Sequence, residues 1–277
     1  MANGRKAFRR NDFDYIYAKY FEKIVASGSA VADPSGWAQT ETEVNIRLPP
    51  PPTSQTLSNY VIDNRKLIAP QKEVLISLLE KWDHQSYAFD EITITPSIST
   101  ASLAVLLLLR SKGVDKILFE TPAYYATVEQ AAAIGIRTSL IPTYHRDQYT
   151  WNPTSLRRPK RGPTAIWLTQ PRFALGLNQR REHVEAAFYR LGMGDFLVVD
   201  ETADQLWPTS LSSIRLAQGL PSLIKIRGYA KPLGLNGLRL SFVIHSAMYR
   251  SALRDSLWVA GAALDYYSLA AAVQIAS

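Results

Sequence analysis

The stretch Ile226-Arg-Gly-Tyr-Ala-Lys-Pro-Leu-Gly-Leu-Asn-Gly-Leu-Arg239 places Lys231 and Arg239 eight residues apart, with Gly234 and Gly237 between them. An ammonium that loses its charge when desolvated becomes a nucleophilic amine that can attack a carbonyl. An arginine presents a planar fork that fits a phosphate. Together the two side chains suit a small molecule that carries both groups. Taken alone, Lys231 reads more readily as a solvated surface lysine, so the stretch gains meaning only from what precedes it.

Three upstream segments add to it. Thr95-Pro-Ser-Ile-Ser-Thr-Ala-Ser102 is a hydroxyl-rich turn before an apolar helix. Free N–H groups and the helix dipole make such a turn an anion site, while the simpler reading makes Ser97 or Ser99 an N-cap. Glu120-Thr-Pro-Ala-Tyr-Tyr125 puts Tyr124 just past a proline turn, where it can stack on a flat ring or pack in the core. Asp200 and Glu201 follow an apolar strand, and a carboxylate there is costly unless paired or used. Beside a pyridine nitrogen, Asp200 would keep that nitrogen protonated.

The elements that must position these residues alternate. Strands are expected at Glu91–Thr95, Lys116–Glu120, Arg137–Ile141, Thr164–Thr169, Asp195–Asp200, Leu223–Arg227 and Leu240–Ile244. Helices are expected at Ala69–Trp82, with Pro70 in the first turn, and at Ser99–Arg110, Tyr124–Ile134, Arg180–Leu191 and from about Ala247 onward. Repeated strand–helix units with strands apolar on both faces predict an α/β fold, a mostly parallel sheet sandwiched by helices. Ligands of such sheets bind beyond the carboxyl ends of the strands, which is where the candidate residues lie. Residues 1–43 read as a separate helix and loop, with Phe13, Ile16, Tyr17, Tyr20, Phe21 and Ile24 on one helical face. Val44–Leu48 reads as a short strand, and Pro49–Pro52 as a rigid connector.

Composition excludes several classes. The 277 residues contain no cysteine, which removes disulfide scaffolds, thiolate metal sites and thiol nucleophiles and fits a reducing compartment. The longest apolar run, Leu103–Leu109, is too short to span a bilayer, and no secretory signal is evident, so a cytoplasmic protein without membrane partners is expected. A formal charge of +7 is concentrated at Arg5-Lys6…Arg9-Arg10 and Arg157-Arg158-Pro-Lys160-Arg161. No nucleic-acid motif or interleaved aromatic accompanies either cluster, so both read as solvated loops. His84, His145, His183 and His245 have no ligand spacing, and no metal is expected.

Taken in order, these segments resemble the fold-type-I enzymes dependent on pyridoxal 5'-phosphate (PLP), and within them the class I/II aminotransferases. The resemblance runs from about residue 44 to the C-terminus and implies a seven-stranded-type transferase major domain over 44–277. The family phosphate turn is similar to Thr95–Ala101, its Pro-x-aromatic to Pro122-Ala-Tyr124, its Asn-Pro-x-Asn-Pro-Thr-Gly to Gln170–Gly176, its Asp-Glu-x-Tyr to Asp200–Ala203, and its Lys-x7-Arg to Lys231–Arg239. The resemblance implies Lys231 as the Schiff-base lysine and proton shuttle, Asp200 as partner of the pyridinium, and Tyr124 as the stacking ring. It implies Ser97, Ile98, Ser99 and Arg239 at the phosphate and Gln170 beside the cofactor. It also implies an amino acid/keto acid substrate and a homodimer, with Tyr60 reaching a neighbouring site. Departures are Phe173 and Ala203, where the family has an asparagine and a tyrosine on the cofactor's phenolic oxygen, and Ser97 and Gly228, where it has a glycine and a hydroxyl. The family's small C-terminal domain is expected to be absent or incomplete. The alternative expectation is a fold retained as a binding or regulatory subunit.

Overall fold

The computed structural model describes residues 65–144, 162–202, 222–229 and 238–276. All of them fall within one unit, Glu41–Ser277. The expected N-terminal helix, the Val44–Leu48 strand, the proline connector, Tyr60, both basic clusters, His145, Ala203 and Lys231 lie outside the described residues.

Seven strands form one sheet: β1 (Ile92–Thr95), β2 (Lys116–Glu120), β3 (Arg137–Ile141), β4 (Thr164–Thr169), β5 (Phe196–Glu201), β6 (Ser222–Gly228) and β7 (Ser241–Ile244). Their order is β1-β7-β6-β5-β4-β2-β3. Strands β3, β2, β4, β5 and β6 are parallel neighbours, and β7 runs antiparallel to both β6 and β1. The inner strands are buried along almost their whole length, which is why they read as unbroken apolar runs.

Helices cover both faces. On one face α2 (Ile98–Ser111) and α5 (Arg250–Val259) pack on Phe119, Trp167, Phe196, Val198, Ile224, Ile226 and Val243. Ala131 of α3 (Tyr125–Ala133) joins that core. On the other face α4 (Arg181–Arg190) packs on Leu118, Ile166, Leu168, Leu197 and Val199. Beside it α1 (Arg65–Asp83) and α6 (Tyr266–Ala276) pack on Ile92, Ile94, Phe242 and Ile244.

Two expectations are corrected. Helix α1 starts at Arg65, so Pro70 is inside it and not in its first turn. A proline's fixed φ suits a helix and forgoes one backbone bond, and the buried Ile68, Leu75 and Leu79 hold the segment by packing. The C-terminal helix is two helices, preceded by a 3-10 turn at Ala247–Tyr249. Gly261 takes φ 66°, its N–H donates to the Trp258 carbonyl, and that of Ala262 donates to Leu257, a Schellman stop.

Leu109 of α2 is wholly buried among the strands of the first face. Leu109→Ala is expected to cost about 2–5 kcal/mol through lost burial and a residual cavity. Urea unfolding checks this: the midpoint should fall with the slope unchanged.

Candidate active site

The register brings the candidate segments to one edge. Thr95 pairs with Ser241, and Ser241 with Gly228. Asp200 pairs with Ile226 and with Thr169. The carboxyl ends of β1, β2, β4, β5 and β6 and the start of β7 therefore share one edge of the sheet. Alternation along the strands puts Thr95, Thr169, Asp200, Gly228 and Ser241 on the face covered by α2. Lys231 follows the end of β6 by three residues, outside the described residues.

Asp200 is 3% exposed. Its Oδ1 accepts the Thr202 N–H at 3.1 Å and the Thr202 hydroxyl, and its backbone carbonyl accepts the Gln170 N–H at 2.8 Å. A buried carboxylate is thus fixed in direction at the end of the central strand.

Ser97 is the N-cap of α2. Its backbone is extended, its Oγ accepts the Thr100 N–H at 3.1 Å, and it shares a 2.8 Å bond with Thr100 Oγ1. The hydroxyl therefore caps the helix, and the group left for an anion is the helix terminus itself, with the first-turn amides of Ile98 and Ser99. Ser99 is exposed, and its carbonyl accepts Gln130 Nε2 at 3.2 Å. Thr95 Oγ1 and Ser241 Oγ lie 2.6 Å apart, joining β1 to β7 below that turn. Arg239 is exposed just before β7.

Gln170 is buried with its amide engaged in its own loop. Nε2 donates to Asn178 Oδ1 at 3.1 Å, and Oε1 accepts the Gln179 N–H at 2.7 Å. It braces the loop instead of reaching toward the neighbouring strands. Tyr124 is half-buried and the N-cap of α3, with its ring 5.4 Å from that of Phe173 and 5.2 Å from that of Tyr125. Phe173 thus stands as an aromatic partner of Tyr124.

The hydroxyl missing at Gly228 has a steric cause. A Cβ there would lie 2.3 Å from the Thr202 carbonyl oxygen, a backbone atom that cannot swing aside. Gly228→Ala is expected to lower stability by about 1–3 kcal/mol, the range for overpacking, measured by thermal or urea unfolding.

Two buried charge networks flank the site, and only their strand-end positions signal them in sequence. Arg172 Nε sits 3.1 Å from Glu120 Oε1, both side chains being 4% exposed. Gln179 donates to the other Glu120 oxygen and accepts from Arg172. On the sheet face opposite Asp200, Arg227 lies 3.3 Å from Glu201 and 3.5 Å from Asp83, and Asp83 accepts the Tyr87 hydroxyl at 2.6 Å. Burial raises the Tyr87 phenol far above its ordinary value, and the Asp83 carboxylate adds to that.

Burial pushes the Glu120 carboxyl up to about 7, against the pull of Arg172 and Gln179. An acid whose folded pKa lies above its unfolded one binds more protons when folded, so stability falls as pH rises from about 4.5 to about 7. His183 has the opposite sign, because burial lowers its pKa and stability grows as pH rises through 6.5. Comparison with Glu120→Gln isolates the first contribution: wild type should lose on the order of 3 kcal/mol more than the variant across that window, read by urea unfolding at several pH values.

A buried, oriented carboxylate, a helix N-terminus and a partly exposed aromatic on one sheet edge suit a planar nitrogen heterocycle joined to a phosphate. The fold is that of the major domain of the fold-type-I PLP-dependent transferases. The chain belongs to the aminotransferase class I and II family, which matches residues 66–271. It is similar to an aspartate aminotransferase from Thermotoga maritima, with 16% identity, a TM-score of 0.70, and 97% of this chain and 74% of that one covered. A double mutant of the Thermus thermophilus aspartate aminotransferase gives 16% identity and a TM-score of 0.72 over 100% of this chain and 73% of that one. YbdL from Escherichia coli, described as having a methionine aminotransferase function, gives 15% identity and a TM-score of 0.61 over 74% and 56%. At these identities the likeness is one of fold. No curated protein matches. No helix among the described residues is long and apolar enough to cross a membrane.

Proposed function

We propose that this chain is a PLP-dependent aminotransferase that moves an amino group between an amino acid and a keto acid, with residues 44–277 as its large domain. The observation that carries the reading is Asp200, a carboxylate 3% exposed and aimed by Thr202 at the carboxyl edge of a family fold. A carboxylate buried and oriented in this way suits a cationic ligand group, and a protonated pyridine nitrogen is one.

In this reading Asp200 holds the proton on the ring nitrogen. The Ile98 and Ser99 amides, with Arg239, bind the phosphate. Tyr124 covers one face of the ring. Lys231 would supply the amine that condenses with the cofactor's aldehyde, with loss of water, and would carry a proton to and from the substrate's Cα. When bound, the cofactor supplies an electron sink for the charge left on that carbon. Family practice supports a homodimer, and the absence of cysteine supports a cytoplasmic location.

The test is to add PLP to the purified chain, record the visible spectrum, reduce with borohydride and map the adduct by peptide mass. A yellow protein with its adduct on Lys231, lost in Lys231→Ala, is the expected result. Asp200→Ala should weaken PLP binding by roughly 10–100-fold, the worth of a charged hydrogen bond. A colourless wild type without adduct would sink the proposal and leave a fold retained for binding.

A further inference from the structure

Glu120 is the last residue of β2, and Tyr124 follows it by four residues. Arg172 and Phe173 are adjacent in the loop after β4, the strand next to β2. The ion pair and the ring pair thus join the same two segments, one pair just behind the other. The ion pair is dry: Glu120 and Arg172 are each 4% exposed at 3.1 Å. Gln179, 2% exposed, ties the far end of the loop to the same carboxylate and to the Thr169 carbonyl at 3.1 Å. These bonds fix where the loop bearing Phe173 sits relative to the turn bearing Tyr124. Neither aromatic ring is itself buried, so the rings meet at the site edge and not in a core.

From this arrangement we infer that Glu120 and Arg172 are positioning residues that act through Phe173, holding its ring against Tyr124 as a pre-built stacking wall for the cofactor ring. The inference rests on the PLP reading above. A wall held in place before binding costs no ordering of side chains when a flat ring arrives. The loop's Gln170 is also bonded to the Asp200 carbonyl, so wall and carboxylate share one support.

A double-mutant cycle separates positioning from mere stability. The probe is pyridoxamine 5'-phosphate, which cannot bond to Lys231, titrated by quenching of tryptophan fluorescence. Four proteins are compared: wild type, Phe173→Ala, Glu120→Gln with Arg172→Met, and the triple variant. Removing both charges together avoids leaving a lone buried ion. Phe173→Ala should raise Kd by roughly 3–10-fold, the worth of an aromatic contact. The charge-free variant should raise it by a similar factor, and in the Phe173→Ala background the same two changes should alter Kd by less than about twofold.

Equal effects in both backgrounds, or no effect of the charge-free pair on wild type, would overturn the inference while leaving the Lys231 adduct intact. Should the charge-free variant not fold, Gln179→Leu replaces it in the same cycle with the same expectation. A wild type that binds neither probe nor PLP would remove the cofactor reading itself, and the wall with it.

Discussion

Charge held out of water at the carboxyl edge of the sheet is the constraint to which the rest of this structure answers. Asp200, Glu201, Glu120, Arg172, Arg227 and Asp83 are all nearly inaccessible. Each such group must be paired or hydrogen-bonded, because an uncompensated buried ion costs several kcal/mol. Their partners come from neighbouring strands and from the helix behind. Satisfying them requires β2, β4, β5, β6 and the end of α1 to meet in one register. The polar groups make few demands on sequence near them but strict ones on geometry, and the edge is ordered as a result.

That same edge separates two kinds of work by strand parity. Asp200 faces α2 and the proposed cofactor side, while its neighbour Glu201 points through the sheet to Arg227 and Asp83. One adjacent pair of carboxylates thus carries a chemical role on one face and a structural one on the other. Burial of both is tolerable because Thr202 orients the first and Arg227 neutralises the second.

Much of the fold was legible in the sequence, since the four inner parallel strands β2, β4, β5 and β6, covered on both faces, are apolar along most of their length and therefore announce themselves. β2, β3 and β4 fall on the expected residues, β1 and β7 differ by a residue at one end, and β5 and β6 by a residue at both ends. Helix limits were less legible: Pro70 suggested a start that packing overrides, and the Gly261 stop was hidden in an alanine-rich run. Asp200 stood out because it ends an apolar strand. Glu120 and Arg227 end apolar strands too, yet their partners Arg172 and Asp83 lie tens of residues away or more, and pairing at that distance leaves no local pattern. Gly228 read as a lost hydroxyl, whereas the Thr202 carbonyl leaves no room for any side chain. Phe173 read as a lost polar contact, and its meeting with Tyr124 across two strands became visible only in three dimensions.

The sheet's topology has a consequence for how the chain is assembled. Among the described residues β1 is hydrogen-bonded to β7 alone, and the Thr93–His245 bond beside that pairing spans 152 residues. Of these seven strands, the first made therefore meets its described neighbour only when the last has arrived. β7 is the closing piece: it joins β1 to the described sheet and covers the edge of β6. Contacts of such sequence separation are slow to form, and an uncovered strand edge invites pairing with other chains in the meantime. During synthesis the nascent chain must carry Ile92–Thr95 without its β7 partner while five strands are made. The span from Thr95 to Ser241 is thus an interval of exposure to chaperones and to aggregation, fixed by strand order alone.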